Sequence, residues 1–318
     1  MPRFDGNRGF GVEIEIRTHQ VTRDGRSRRI SQSQVARWLN TIEGVEAGAE
    51  GLNHTTRSYW KVVTDSTCGF EVGSPILRGE DGLNQLKAVI RKLKAHGCIV
   101  DSSTGFHVHH GVRQEGITAN QLLNICAFYA KYQTTIDRLV HSSRRNNRWT
   151  APWTPTQARM AREMTFNADI ASSLAPITTR DQNFAAVDRT SLNLRNAGGG
   201  RYKSVNFSAT LPPEYGQQCH GTVEFRQKEG TLDADEAAAW VVMTQLIVTY
   251  AIKVDEANQA WAANSTNSRR GGAVVQPTPL SAARQEDGLR WLETYLNYFG
   301  KWKTLEKDAW AVLTARAS

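Results

Sequence analysis

The heptapeptide Gly105-Phe-His-Val-His-His-Gly111 carries two histidines two residues apart. In a β-strand successive side chains point to opposite faces, so His107 and His109 project together. Two remote stretches repeat the device. Gly11-Val-Glu-Ile-Glu-Ile16 sets Glu13 and Glu15 on one face and Val12, Ile14 and Ile16 on the other. Thr222-Val-Glu-Phe-Arg-Gln227 sets Glu224 with Arg226, opposite Val223 and Phe225. Paired ionisable groups backed by an apolar face describe a strand of a half-buried sheet. Three such strands predict one sheet whose open face carries carboxylates, imidazoles and a guanidinium. That is the outline of an active site.

The rest of the chain is compatible with an enzyme of this size. Its 318 residues, 40% of them hydrophobic and nine of them Trp, can bury a core in one large domain or two modest ones. No apolar run of about 18 residues stands out, so no transmembrane helix is expected. Met1-Pro-Arg-Phe-Asp5 lacks the apolar core of a signal peptide. Cys68, Cys98, Cys126 and Cys219 show no close-paired spacing and read as reduced structural thiols. Cytoplasmic residence is the expectation. The net charge of +8 favours an anionic partner, whether nucleic acid, nucleotide or acidic substrate.

Around the three strands the sequence predicts an alternation of strands and helices. The first strand spans roughly Phe10 to Thr18, and the basic stretch Arg23 to Arg29 is a solvated turn. Ser31 and Gln34 form a capping box for a helix through Val35, Trp38, Leu39 and Ile42. Tyr59–Asp65 and Gly69–Val72 are strands joined by a turn at Ser66, Thr67 and Cys68. Leu83, Leu86, Val89, Ile90 and Leu93 form a helical stripe that Gly97 ends. Thr118 and Gln121 open a helix from about Ala119 to Val140.

From His141 to Gly200 periodicity is poor, and the segment reads as a closing lid or an insertion. Gly198-Gly-Gly200 leads into a strand, Arg201 to Phe207, whose Arg201 and Lys203 are candidate nucleotide contacts. Asp233 and Glu236 cap a long apolar helix from Ala234 to about Asn258. A polar linker covers 261–280, and residues 281–318 form two helices packing on the body. Strands interleaved with helices of uneven length indicate an α+β fold with an antiparallel sheet.

Familiar nucleotide and metal signatures fail. Gly200-Arg-Tyr-Lys-Ser204 lacks the glycine before lysine that a P-loop needs, and neither HExxH nor a zinc-type cysteine cluster occurs. Two carboxylates about 7 Å apart on one strand face repel each other unless a cation lies between them. Mg2+ or Mn2+ suits a site of carboxylate, imidazole and phosphate oxygen better than Ca2+ does. Each pair alone is more often a solvated strand face. Three pairs with matched spacing favour a site.

Taken in order, Gly11-Val-Glu-Ile-Glu15, Gly69-Phe-Glu-Val-Gly-Ser-Pro-Ile-Leu77, Ser103-Thr-Gly-Phe-His-Val-His109, Thr222-Val-Glu-Phe-Arg226 and Gly230-Thr-Leu-Asp233 resemble the amidoligase family. That family is similar to the carboxylate–amine ligases of the glutamine synthetase and glutamate–cysteine ligase superfamily. The resemblance covers residues 9 to about 250, within a catalytic domain taken as 1–260. It implies a curved antiparallel sheet with helices on one face and the active site on the other, binding ATP with Mg2+ or Mn2+. Glu13, Glu15 and Glu224 would be metal ligands, and His107 and His109 metal or phosphate contacts. Asn206 resembles the asparagine on the strand before the Glu-x-Arg motif. Arg226 resembles the group that holds the transferred phosphate, and Asp65 and Glu71 resemble further acidic groups of the catalytic set.

The implied reaction joins a small-molecule or peptide carboxylate to an amine through an acyl phosphate, in peptide, protein or cell-wall modification. Two other readings remain open at this point. One is a phosphotransferase on a similar sheet. The other is a basic nucleic-acid-binding protein using Arg144, Arg145, Arg148, Trp149 and Trp153.

Overall fold

The computed structural model describes residues 4–167, 180–198, 200–215, 219–265, 288–297 and 302–315. In chain order it contains β1 (Gly9–Ile16), β2 (His19–Val21), β3 (Ser27–Arg29), α1 (Gln32–Leu39), β4 (Ala47–Ala49), β5 (Trp60–Asp65), β6 (Gly69–Gly73), β7 (Leu77–Arg78) and α2 (Gly79–Ala95). There follow β8 (Gly105–Gly111), α3 (Ala119–Ile136), α4 (Pro155–Asn167), α5 (Arg180–Gly198), β9 (Val205–Asn206), β10 (Thr222–Glu229), α6 (Ala234–Ser265), α7 (Gly288–Leu296) and α8 (Thr304–Thr314).

The three patterned segments become β1, β8 and β10, and they are neighbours. One open sheet runs β4-β5-β6-β1-β8-β10-β9, with β7 paired to β1. All its pairings are antiparallel except β4 with β5. The α+β expectation with a mostly antiparallel sheet therefore holds. Phe10, Val12, Ile14, Phe106, Val108, Val223 and Phe225 are buried on the helix-bearing side. There Tyr129 of α3 packs on Phe225 with ring centroids 5.9 Å apart.

A bulge between Phe225 and Lys228 sends Lys228 to the same side. Its ammonium, wholly buried, pairs with Glu236 of α6 at 2.6 Å and with Glu229 at 2.7 Å. A buried lysine needs such partners, because the unpaired charge would cost several kcal/mol, by order of magnitude ~3–5 kcal/mol.

His110, between the two patterned histidines and the glycine, points the opposite way from them. It is fully buried and its Nε2 lies 2.8 Å from Thr244 Oγ1 on α6. Burial, and next the nearby Arg8 charge, hold its pKa well below the ordinary value. As pH falls the unfolded chain therefore takes up this proton first. The stabilisation is complete above about pH 6.5 and declines on acidification, by at most about 1.4 kcal/mol per pH unit. Urea unfolding at pH 7 and pH 5 should show a larger acid loss for wild type than for His110→Gln.

Helix caps follow the sequence. Ser31 with Gln34 and Thr118 with Gln121 form complete capping boxes. Asp233 accepts from the backbone N–H groups of Asp235 and Glu236 at 3.0 Å each, opening α6. The basic stretch Arg23–Arg29 proves to be part of an exposed ribbon, β2 paired with β3. The four cysteines are buried and unpaired, and burial pushes their thiols up.

Three expectations need correction. The segment 141–200, expected to lack helical order, holds two helices among its described residues: α4 and α5 lie there and pack on α3 and on each other. Their buried positions include Ala158, Ala161, Thr190 and Ser191, small or polar residues that leave little apolar periodicity to read. The strand expected over Arg201–Phe207 is reduced to Val205–Asn206. Finally, Ala234–Gln259 of α6 is long and apolar enough to cross a membrane by length and composition, although no such run was expected. Of its most apolar window, 83% is buried inside the fold, as for a core helix.

The expected linker at 261–280 starts within α6, and its residues beyond Ser265 lie outside the described residues. In the C-terminal segment α8 packs on α6, with Trp302 and Trp310 5.7 Å apart. Glu306 of α8 also accepts a hydrogen bond from the Phe4 N–H at 2.9 Å.

Candidate active site

Register decides which ionisable groups meet. Glu13 of β1 lies opposite His107 of β8, and His109 lies opposite Glu224 of β10. On the other flanks Glu15 faces Glu71 of β6, and Glu224 faces Asn206 of β9. The side-chain contacts follow that register. His107 Nδ1 is 2.9 Å from Glu13 Oε2 and 3.5 Å from Glu224 Oε1, and its Nε2 is 3.6 Å from Glu15 Oε1. His109 Nε2 approaches Glu13 Oε1 to 3.2 Å without a hydrogen-bonding geometry, while its Nδ1 is 3.0 Å from Thr222 Oγ1. Arg226 pairs with Glu224 Oε1.

One ligand atom each from Glu13, His107 and Glu224 falls within 4.8 Å of the other two. Two carboxylates and an imidazole make a donor set suited to Mg2+ or Mn2+. His109 Nε2 and Glu71 Oε1 are buried nearby without a hydrogen-bond partner, a further sign of a site built to receive another group. Glu15 is engaged differently from Glu13, since its Oε2 accepts the Gly105 N–H at 2.6 Å.

The electrostatics of the centre are those of groups too crowded to titrate normally. Burial opposes the charge on Glu13, but His109 and His107 outweigh it and hold the carboxyl well below the usual range. Burial likewise opposes Glu224, and the Arg226 and His109 charges bring it down. His109 is raised, because Glu13 and then Glu224 overcome its burial. Glu71 moves the other way: burial, reinforced by Glu13, pushes it well up, with Lys61 only partly offsetting. Four carboxylates around one imidazole pair leave Glu71 with only the partial offset of Lys61. It is the group most in need of a cation or a proton.

These residues line a cavity of about 390 Å³, whose wall also includes Asp65, Arg144, Arg201 and His220. From sequence Arg144 reads as part of a basic segment and Arg201 as a candidate nucleotide contact. Here they stand in one cavity with Arg226, and each of the three guanidiniums has a buried Nε without a hydrogen-bond partner. Arg144 is held by a hydrogen bond from its Nη2 to the Arg226 carbonyl at 2.8 Å. Burial lowers its pKa, and the Arg226 charge adds to that. Like charges placed together with donors unfilled describe an anion site.

His220 is a second residue that sequence reasoning missed. Its ring meets His109 edge-on at 5.9 Å, and burial with the His109 charge lowers its pKa to about 4, so it is neutral. No local pattern flags it, because Cys219 and His220 sit in a loop with neither strand nor helix periodicity. Its place four residues before Glu224 of the Glu-x-Arg motif is the one signal the sequence offers.

Three other sequence candidates have structural roles. Asp65 lines the cavity, but its Oδ1 accepts the Thr67 and Cys68 N–H groups at 2.6 and 3.0 Å and so caps the β5–β6 turn. Burial opposes its ionisation, and these hydrogen bonds prevail to lower its pKa. Asn206 donates to Glu224 Oε2 at 2.7 Å and accepts the Ser208 N–H at 2.8 Å, so it orients a candidate ligand. Asn206→Ala should weaken Mn2+ binding about 10–100-fold, as loss of an orienting partner does, measured by titration of the metal's paramagnetic signal. Lys203 is not brought to the cavity. Its ammonium donates to the Pro152 carbonyl at 2.7 Å and to Gln157 Oε1 at 3.0 Å.

Of the five residues considered for a nucleic-acid surface, two are buried. Trp153 is buried, with Nε1 donating to the Val205 carbonyl at 2.8 Å, and Arg144 is buried in the cavity. Arg145 turns back to the Val140 carbonyl, which leaves Arg148 stacked over Trp149 at 4.5 Å.

No curated protein matches the chain at a significant level. A family model described as "putative amidoligase enzyme" matches residues 6–248, a span that runs from before β1 into α6 and holds every group of the cavity named above. With most of its length so matched, the chain belongs to the amidoligase family.

Proposed function

We propose that the protein is an ATP-dependent carboxylate–amine ligase that forms an amide or peptide-like bond through an acyl phosphate. The observation that carries this reading is the meeting of two opposite sites in one cavity. A carboxylate–imidazole cluster (Glu13, His107, Glu224) suited to a divalent cation adjoins three guanidiniums with unfilled donors. Transfer of a phosphoryl group between two anionic reactants requires both. A curved, glutamine synthetase-like form of the sheet belongs to the same proposal.

A carboxylate cannot react with an amine directly, because oxide is not a leaving group. The γ-phosphoryl group of ATP moves to a carboxylate oxygen and ADP departs. The amine then attacks the carbonyl carbon, phosphate leaves, and the amine gives up a proton. Mg2+ or Mn2+, held by Glu13, His107 and Glu224, would offset the negative charge of the phosphates. Arg226, fixed by Glu224, holds equatorial phosphoryl oxygens through its planar fork, and Arg144 and Arg201 extend that clamp. The neutral imidazole of His220 is the acceptor we assign for the amine proton.

The test is mass spectrometry of a mixed pool of amino acids and peptides incubated with the protein, ATP and MgCl2. The expected result is a condensation product short by one water, with one ADP and one phosphate released per bond. A product heavier by a phosphoryl group, with no free phosphate, would instead identify a phosphotransferase.

A further inference from the structure

The cavity at the acidic centre is one lobe of a longer cleft. A second lobe of about 590 Å³ shares Glu13, Leu52, His54, His109 and His220 with the first, so the two join at the metal-ligand cluster. We infer that this second lobe is a trough for an extended, weakly charged peptide segment, laid over Gly11 with its reacting end at the centre. The inference rests on the ligase reading only for what happens at that end.

The floor of the trough follows from strand alternation. On the site face β1 reads Gly9, Gly11, Glu13, Glu15, and β8 reads Gly105, His107, His109, Gly111. Chemistry-bearing groups occupy the middle, and bare backbone lies beside them. The glycines there have different reasons. A Cβ at Gly9 would stand 2.9 Å from Ile76 Cγ2, and one at Gly73 would stand 2.7 Å from Lys61 Cε, so these two make room for neighbouring side chains. A Cβ at Gly11 would meet nothing closer than Ser74 Oγ at 3.7 Å and His109 Cβ at 3.8 Å. The protein could carry a side chain at Gly11, next to Glu13, and does not. Such a position suits close approach of a ligand to the backbone.

Charge tells the lobes apart. Away from the junction, each charged group of the second lobe is already engaged. Lys61 Nζ donates to the carbonyls of Asn53 at 2.9 Å and Thr55 at 3.3 Å. Glu115 pairs with Arg8 at 2.8 Å and accepts the Gly9 N–H at 2.7 Å, and Arg78 donates to the Asn7 carbonyl. Of the guanidiniums with unfilled buried donors, Arg144, Arg201 and Arg226 line the first lobe, and Arg8, paired with Glu115, lines neither. A polyphosphate therefore belongs with the arginines, and the second lobe suits a molecule without net charge along its length. Its rim carries two apolar residues, Leu52 72% and Ile76 51% exposed, beside the uncharged Thr55, Thr56 and Gln114, all placed to meet ligand side chains. A volume of this size encloses a drug-sized ligand, several peptide residues rather than one amino acid.

The test is retention of a randomised tetrapeptide mixture by the full chain on gel filtration, read by mass spectrometry, with calorimetry of Mg-ATP on the same samples. Wild type should retain tetrapeptides, and Gly11→Leu should retain at least tenfold less while Mg-ATP affinity stays within about twofold. Gly11→Ala, whose added methyl makes only ordinary contacts, should show a smaller loss in the same direction. It keeps the test open if thermal melting shows Gly11→Leu to be misfolded. No retention by wild type, equal retention by folded Gly11 variants, or displacement of the peptides by adenosine would overturn the trough. Peptide retention without Mg-ATP binding would uphold the trough and remove the ligase reading instead.

Discussion

Arg226→Lys should bind Mg-ATP with nearly wild-type affinity and turn over about 10²–10³-fold more slowly, the usual loss for one preorganised stabiliser of transition-state charge. Lysine keeps the positive charge but not the planar fork that grips two oxygens at once. The surroundings make the substitution informative. Arg226 is nearly buried, and burial alone would disfavour its charge. Glu224, then Glu13 and Glu15, overcome that and raise its pKa. A lysine in its place should therefore remain charged, so a lost rate would report geometry. If Arg226 served only to neutralise Glu224, the variant would be silent in single-turnover kinetics.

The double replacement Glu13→Gln with Glu224→Gln should weaken Mg-ATP binding about 100-fold, at the upper end of what loss of a supporting partner costs a metal site. Binding measured in EDTA should hardly change. Both residues contribute to the cluster with His107, and glutamine keeps their shape while removing the charge a divalent cation needs. The same change takes away the two carboxylates that raise His109, so its pKa should fall. Calorimetry with and without Mg2+ reads the first effect, and titration of the imidazole by NMR reads the second. Equal Mg-ATP affinities in wild type and variant would remove these carboxylates from metal binding.

What the sequence made legible was whatever repeats with the period of a strand. Glu13 and Glu15, His107 and His109, and Glu224 and Arg226 alternate with buried aliphatic and aromatic residues. Alternation is enough to assign faces, and antiparallel neighbours then bring the faces together. Capping boxes at Ser31 and Thr118 were legible because they are local. Long-range placement was not. Arg144 enters the cavity through a hydrogen bond to a carbonyl 82 residues away, and no nearby residue forecasts that.

Lys203 illustrates the converse. Its position two residues from Arg201 suggested a shared role, but Arg201 lines the cavity while Lys203 is drawn to Pro152 and Gln157. Asp65 offers a carboxylate to the cavity, yet the local turn claims one of its oxygens. The helices α4 and α5 escaped notice because small and polar residues make up much of their buried faces.

The central claim is that a carboxylate is activated by phosphoryl transfer before the amine attacks, and the path of one oxygen tests it. Amino acids and peptides enriched with 18O in their carboxylates should be incubated with the protein, ATP and MgCl2 in ordinary water, and the released phosphate weighed. An acyl phosphate that breaks by amine attack leaves a carboxylate oxygen on phosphorus, so each phosphate should carry one 18O. Phosphate that forms without the label, or no Mg2+-dependent phosphate at all, would contradict the account.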